Sequence, residues 1–237
     1  MSLDIIDKRL VTAVTNKIYF DKIISIIKEN LNSKKIIKIL NIGCANCRIE
    51  AQLLPLLEKN KIKFDFISQD IVDLSADQNT INNLKKYNWK FKKTDKSLNK
   101  ISKNYDLIIH SDVIEHLEHP YNFLKTIKNI SNSKSYMIFI TPNLLRFTNI
   151  IRIFLGILDF PKSMGKSKFK HVGEETHLVE YTEFYLKLIF NESGYKHLNT
   201  DFVYFGFFNY TPRFFYKPKL SIFKKLSQNI ISTYKIN

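Results

Sequence analysis

The chain of 237 residues is poor in the residues that build special scaffolds: two cysteines, six glycines, six prolines, one tryptophan. Two cysteines exclude a disulfide-stapled scaffold. A structural zinc site usually wants four ligands, and there is no second cysteine pair to supply them. No internal repeat and no low-complexity linker occurs. No apolar run reaches the ~18 residues needed to span a bilayer. The opening Met1-Ser2-Leu3-Asp4 does not read as a secretory leader. Together these absences lead us to expect a cytoplasmic protein with reduced thiols. Acidic residues are also scarce: none follows Asp201, whereas Arg213, Lys217, Lys219, Lys224, Lys225 and Lys235 do.

What is present is core material. Hydrophobic residues make up 44% and aromatics 14%, enough bulk to bury one α/β domain. The net charge is +15, from 37 basic and 22 acidic residues. Two explanations stay open for that charge. An AT-rich coding bias toward Lys, Ile and Asn accounts for it, and so does an anionic partner.

Periodicity divides the chain. Apolar residues at helical spacing from Leu3 to Leu31 predict one or two amphipathic helices. Ile36–Ile42 reads as a buried strand, followed by a helix over Arg48–Glu58 in which Pro55 calls for a kink. Further strands are expected at 62–68, 88–93, 105–110 and 136–140, with helices at 73–87 and 118–130. Strands alternating with helices imply a doubly wound parallel sheet, with its ligand at the carboxyl ends of the strands. Beyond it, 144–158 reads as a capping or interfacial helix, and 161–171 as a lysine-rich loop. A helix over 181–193, an aromatic strand from Tyr195 and a basic amphipathic helix from Lys219 complete the expectation.

The segment Ile42-Gly43-Cys44-Ala45-Asn46-Cys47 admits two readings. A C-x-x-C at a strand-to-helix turn is the thioredoxin arrangement. A small-residue loop at the same turn lets backbone approach a ligand, with the free N–H groups of the next helix aimed at it. The flanks favour the second. Asp70 ends the second strand, where a ribose diol is held in such folds. The later segments Tyr105–Pro120 (YDLIIHSDVIEHLEHP), Phe139–Asn143 (FITPN) and His177–Thr182 (HLVEYT) follow in order.

On these segments the chain, from about Ile36 to Lys196, resembles the class I S-adenosylmethionine-dependent methyltransferases. The similarity is to small-molecule O-methyltransferases such as those of ubiquinone and surface-glycan biosynthesis. The resemblance implies a Rossmann-like sheet of seven strands, mostly parallel with the last antiparallel, in a single methyltransferase domain. Its parts would be an N-terminal helical cap (1–34), a cofactor-binding core (35–143), a lid or substrate segment (144–180) and a C-terminal part with a basic tail (181–237). The implied cofactor is S-adenosylmethionine. Asn41, Gly43, Cys44 and Ala45 would line its methionine part, Asp70 its ribose, Ile71 and Asp95 its adenine, and Ser111 and Asp112 its amino-acid end. Asn41 stands where the family usually has an acid, and Ala45 and Cys47 replace glycines, so a catalytically silent relative stays open.

For the chemistry, a hydroxyl acceptor gains from a general base, usually His. His177 and His116 are the candidates, with His171 as a further one. His110 reads as core and His119 as a helix-start residue. Asp112, Glu115 and His116 form D-x-x-E-H, an oxygen-and-imidazole set that suits Mg²⁺, yet we assign no metal ligand. The expected acceptor is a small anionic or carbohydrate-containing molecule, suggested by Lys162, Lys166, Lys168 and Lys170. A peripheral membrane contact at the tail is a further expectation. Nucleic acid is the competing partner, without a recognisable RNA-binding module to support it.

Overall fold

The computed structural model describes residues 8–95, 98, 101–158, 160, 162–163, 176–206 and 217–236. Helix α1 (Lys8–Asn30) leads to strand β1 (Ile37–Ile42) and helix α2 (Arg48–Lys59). Then come β2 (Phe64–Asp70), α3 (Gln78–Leu84), β3 (Trp89–Lys93) and β4 (Tyr105–Ser111). A 3₁₀ turn (Ile114–His116) precedes α4 (Pro120–Ile130), β5 (Ser131–Pro142) and α5 (Phe147–Phe154). A two-residue ladder, β6 (Lys162–Ser163) against β7 (Thr176–His177), is followed by α6 (Glu183–Glu192), β8 (Tyr195–Phe205), α7 (Ser221–Lys225) and β9 (Ser227–Ile236).

Seven strands form one sheet in the order β3-β2-β1-β4-β5-β9-β8. The first five are parallel, and β9 lies antiparallel to both neighbours. Side-chain alternation explains the two-sided core. In β1, Ile37 and Ile39 join the cluster of Tyr19, Ile23 and Ile27 from α1 and Leu53, Leu54 and Leu57 from α2. Leu40 and Ile42 face the other way, into the cluster of Phe123, Leu124 and Ile127 from α4 and Leu186 and Phe190 from α6. By the same alternation Asn41 faces α2 and His110 faces α4. His110 is fully buried, stacked on Phe139 at 4.7 Å between ring centroids, and burial lowers its pKa to about 3. His119 caps α4 ahead of Pro120.

Several expectations change. The tail is not a basic helix: only Ser221–Lys225 is helical, and Ser227–Ile236 enters the sheet between β5 and β8. The run Ile230-Ile231-Ser232-Thr233-Tyr234 is β-branched and aromatic, and the sheet buries it on both faces, which outweighs any local helical pattern. Helix α3 is shorter than expected, because Asp77 accepts a hydrogen bond from the Thr80 N–H and so starts it late. Strand β2 runs two residues further, to Asp70. Pro55 lies within α2 on its exposed side, where a carbonyl deprived of its donor meets water. Arg213 and the aromatic residues Phe207, Phe208, Phe214, Phe215 and Tyr216 lie outside the described residues, as do Lys166, Lys168, Lys170 and His171. No helix among the described residues is long and apolar enough to cross a membrane.

Candidate active site

Strands β1 and β4 lie side by side and parallel at the centre of the sheet, and a cleft of about 380 Å³ opens over their carboxyl ends. Gly43, Ala45, Asp70, Ile71 and Asp112 line it, with His116 on one wall. Leu98 and Phe123 add apolar surface. Asn41 and Cys44 are buried outside that lining, Asp95 follows β3 exposed to solvent, and Ser111 donates to the Asp112 carboxylate at 2.9 Å.

The loop after β1 is held by backbone groups. The N–H groups of Gly43 and Cys44 donate to the Gln69 carbonyl at 2.9 and 3.2 Å. The Ala45 N–H donates to Asp70 Oδ2 at 2.7 Å, while Asp70 Oδ1 accepts from the Ile71 and Val72 N–H groups at 2.7 and 3.3 Å. Gly43 sits at φ +74°, and a Cβ there would come within 2.5 Å of a Val113 methyl. Only glycine meets both conditions. Ala45 (φ 43°) and Cys47 (φ 58°) keep the left-handed backbone without being glycine. Behind the loop, Asn41 Nδ2 donates to Glu50 Oε1 at 2.7 Å, Ser68 Oγ donates to the same oxygen at 2.5 Å, and Trp89 Nε1 donates to Ser68 at 2.8 Å. Burial raises the Glu50 pKa against those hydrogen bonds.

These observations answer whether the site fits S-adenosylmethionine. The glycine cradle at Gly43, the apolar lining and the carboxylate at the end of β2 are the features that an adenosyl-type ligand needs at this switch point. The residues present fit that cofactor.

Behind His116 stands a second wall, built from buried side chains that do not line the cleft. His177, 4% exposed, does not line the cleft; its ring meets His116 edge-on at 4.9 Å between centroids. His177 Nδ1 lies 3.0 Å from Glu180 Oε1. That carboxylate also accepts from Arg146 at 2.5 Å, and its second oxygen accepts from Asn149 at 2.7 Å. A carboxylate receiving donors from three sides makes His177 Nδ1 the protonated nitrogen. His177 Nε2 then points its lone pair toward Glu115 Oε1, 4.0 Å away. Glu115 Oε2 accepts from the Thr141 hydroxyl at 3.0 Å. Burial, with the nearby Asp112 charge, pushes the Glu115 carboxyl well above its ordinary range. Within the D-x-x-E-H stretch Asp112 and Glu115 share a side-chain hydrogen bond, while Glu115 and His116 converge with His177, their ligand-type atoms all within 4.8 Å of one another.

Sequence reasoning missed Glu180, Arg146, Asn149 and Glu50. Two signals were available. Glu180 stands three residues from His177, and Glu50 stands at helical spacing from Leu53, Leu54 and Leu57, on the buried stripe of α2.

A family model described as "Methyltransferase domain" matches residues 16–200. No curated protein matches the chain. Among solved structures, the SeMet-substituted CurJ carbon methyltransferase aligns at TM-score 0.63 and 16% identity, covering 95% of this chain and 55% of that one. The citrinin polyketide synthase CMeT domain aligns at 0.60 and 15% identity over 95% of this chain and 53% of that one, so the chain spans about half the length of these two. Magnesium protoporphyrin IX methyltransferase (ChlM) from Synechocystis PCC 6803, with bound SAH, aligns at 0.61 and 12% identity over 96% and 85%. A SAM-dependent methyltransferase from Aquifex aeolicus aligns at 0.56 and 16% over 98% and 100%. At such identities the likeness is one of fold.

Proposed function

The chain belongs to the S-adenosylmethionine-dependent methyltransferases, and from that premise we propose that it methylates a hydroxyl oxygen of a small anionic or carbohydrate-containing acceptor. When bound, the cofactor supplies an electrophilic methyl group for in-line displacement. Asp70, Gly43 and Ala45 would hold it, with Ile71 beside its adenine and Asp112 near its amino-acid end.

One observation carries the reading: a histidine on the cleft wall, His116, is backed by a second, His177, whose outer nitrogen is fixed by a buried carboxylate. A hydroxyl nucleophile must lose its proton as it attacks, and a positioned imidazole is suited to take it. His116 faces the acceptor side and His177 supports it.

The test uses labelled cofactor with nucleotide sugars, glycan precursors and phenols as acceptors. Product from a hydroxyl acceptor supports the reading. Product only from carbon acids or RNA, or none from any class, overturns it. Calorimetry with the cofactor alone separates an inactive relative, which would give no heat of binding.

A membrane-proximal acceptor is supported by the exposed row Ile153, Phe154, Leu155 and Ile157, which sits beside exposed Arg152. Binding to anionic vesicles at low salt tests it, and absence of co-sedimentation ends it.

A further inference from the structure

The C-x-x-C left over from the cofactor loop has a third member. Cys44, Cys47 and Glu50 each offer a ligand-type atom, and these atoms all lie within 4.8 Å of one another. All three residues are buried, at 5%, 0% and 0% exposure. Both thiols are free. Glu50 Oε1 is fixed by Asn41 and Ser68, but its second oxygen, Oε2, is shielded from solvent and has no hydrogen-bond partner among the described residues. A buried carboxyl oxygen with nothing to bind costs free energy that a cation in the same space would recover.

We propose that Cys44, Cys47 and Glu50 form a binding site for a thiophilic d¹⁰ cation of the zinc class, behind the cofactor loop and separate from the methyl-transfer cleft. Two thiolates and one carboxylate suit such an ion better than Mg²⁺ or Ca²⁺, which prefer oxygen alone. On a tetrahedral ion with Zn–S of ~2.3 Å, ligand atoms stand about 3.8 Å apart. The three groups therefore need to close by ~1 Å or less. Asn41 and Ser68 are the outer partners that orient the carboxylate, as metal ligands commonly require. Loading releases the two thiol protons, and any proton on Glu50, to solvent. The bound group is then two thiolates, one carboxylate and one divalent ion, with a water completing the set. No oxidant or reductant takes part.

The site also gives Cys47 a role. The residue holds a left-handed backbone at the start of α2, and its side chain makes no capping hydrogen bond to the helix. Its thiol is turned inward to Cys44, and that contact, with burial, holds the Cys44 thiol protonated in the metal-free protein. An ion here ties the first turn of α2 to the loop that carries Gly43 and Ala45.

The test needs no methyl acceptor. The full chain, reduced and stripped with chelator, is titrated with Cd²⁺ and followed by the ultraviolet thiolate-to-cadmium band. Zn²⁺ affinity is then measured by competition with a chromogenic chelator. One equivalent of Cd²⁺ should develop the band, and Zn²⁺ should displace it. Cys47→Gly suits the left-handed backbone and should keep the circular dichroism spectrum while losing the band. Cys44→Ser is a second variant of the same kind. Glu50→Gln should weaken binding at least tenfold. The proposal is overturned if the wild-type chain shows no band at stoichiometric Cd²⁺, if Cys47→Gly or Cys44→Ser retains it, or if Glu50→Gln binds as tightly as the wild type. Because the readout is the ion, failure here leaves the methyl-transfer reading untouched.

Discussion

The loop from Gly43 to Cys47 borders the cleft, whereas a wall of buried side chains, Arg146, Asn149, His177 and Glu180, stands behind its His116, and the two are built of different materials. The loop is shaped by backbone N–H groups reaching Gln69 and Asp70, so its residues need to be small more than they need a particular chemistry. The wall is shaped by side chains: Arg146, Asn149, Glu180 and His177 are all buried and bind one another. The first arrangement tolerates substitution, as Ala45 and Cys47 at left-handed positions already show. The second does not, because removing one member leaves buried polar groups without partners. In the proposed function the cofactor takes the first kind of surface, and the second holds the histidine that would serve the acceptor.

The largest expected effect separates the two sides outright. His116→Ala should lower kcat by ~10²–10⁴-fold on a hydroxyl acceptor while leaving cofactor affinity within about threefold. His177→Ala should act in the same direction, and higher pH should partly restore both. A folded variant with kcat within about threefold of wild type in either case would remove that histidine from proton transfer.

Next is Glu180→Ala, which strands the Arg146 guanidinium in the interior and frees His177. A loss of about 3–5 kcal/mol is expected, read by denaturant titration. A loss below about 1 kcal/mol, the range of surface pairs, would mean that the wall is not a cooperative network.

The strand that carries Asp112 to His116 predicts an acid sensitivity. His110 is buried neutral, with its pKa lowered to about 3 against an unfolded value near ~6.5. The unfolded chain therefore binds the extra proton first. Stability is complete above about pH 6.5 and declines as pH falls through the window down to about 3. At pH 4 the loss amounts to ~3 kcal/mol. His110→Phe should remove that part of the slope, seen as the difference between the two proteins' stability curves against pH. Parallel curves would show that His110 is not the group responsible.

Why some of this was legible in the sequence and some was not follows from the same contrast. Period-2 and period-3.6 patterns report which face is apolar, and they placed β1, β4, α4 and α6 to within a residue or two. They also placed Asp70 and Gly43, because a strand end and an obligatory glycine are local features. They misassigned the tail because β9 is defined by what lies on either side of it, Phe139 and Ile140 of β5 and Phe202 and Val203 of β8, nearly a hundred to thirty residues away in sequence. The wall was hidden for the same reason. Arg146 and Glu180 are 34 positions apart, and an arginine at the start of an apolar helix gives no local sign of its partner.

On the loop side the effects are smaller. Asp70→Ala should weaken cofactor binding at least tenfold, or about 1.4 kcal/mol, by removing both a diol acceptor and the anchor of the Ala45 N–H. Unchanged affinity in calorimetry would separate β2 from cofactor binding.

The smallest change sharpens the contrast most, because it should be favourable. Ala45 is exposed and holds φ 43°, a conformation in which an L-residue's Cβ crowds its own carbonyl at a cost of ~1–2 kcal/mol. Glycine removes that strain but adds unfolded-state freedom worth ~0.4–1 kcal/mol in the opposite direction. Ala45→Gly should therefore raise stability by up to about 1.6 kcal/mol. The N–H to Asp70 is a backbone group and survives the change. The lost methyl belongs to a residue lining the cleft, so cofactor affinity should rise or hold while kcat, set by the opposite wall, stays within about twofold. A stabilised protein with unchanged kcat would show that the two walls act independently. A kcat that moved with the loop would show that the loop's shape reaches the acceptor, and the division between backbone-held and side-chain-held surfaces would fail.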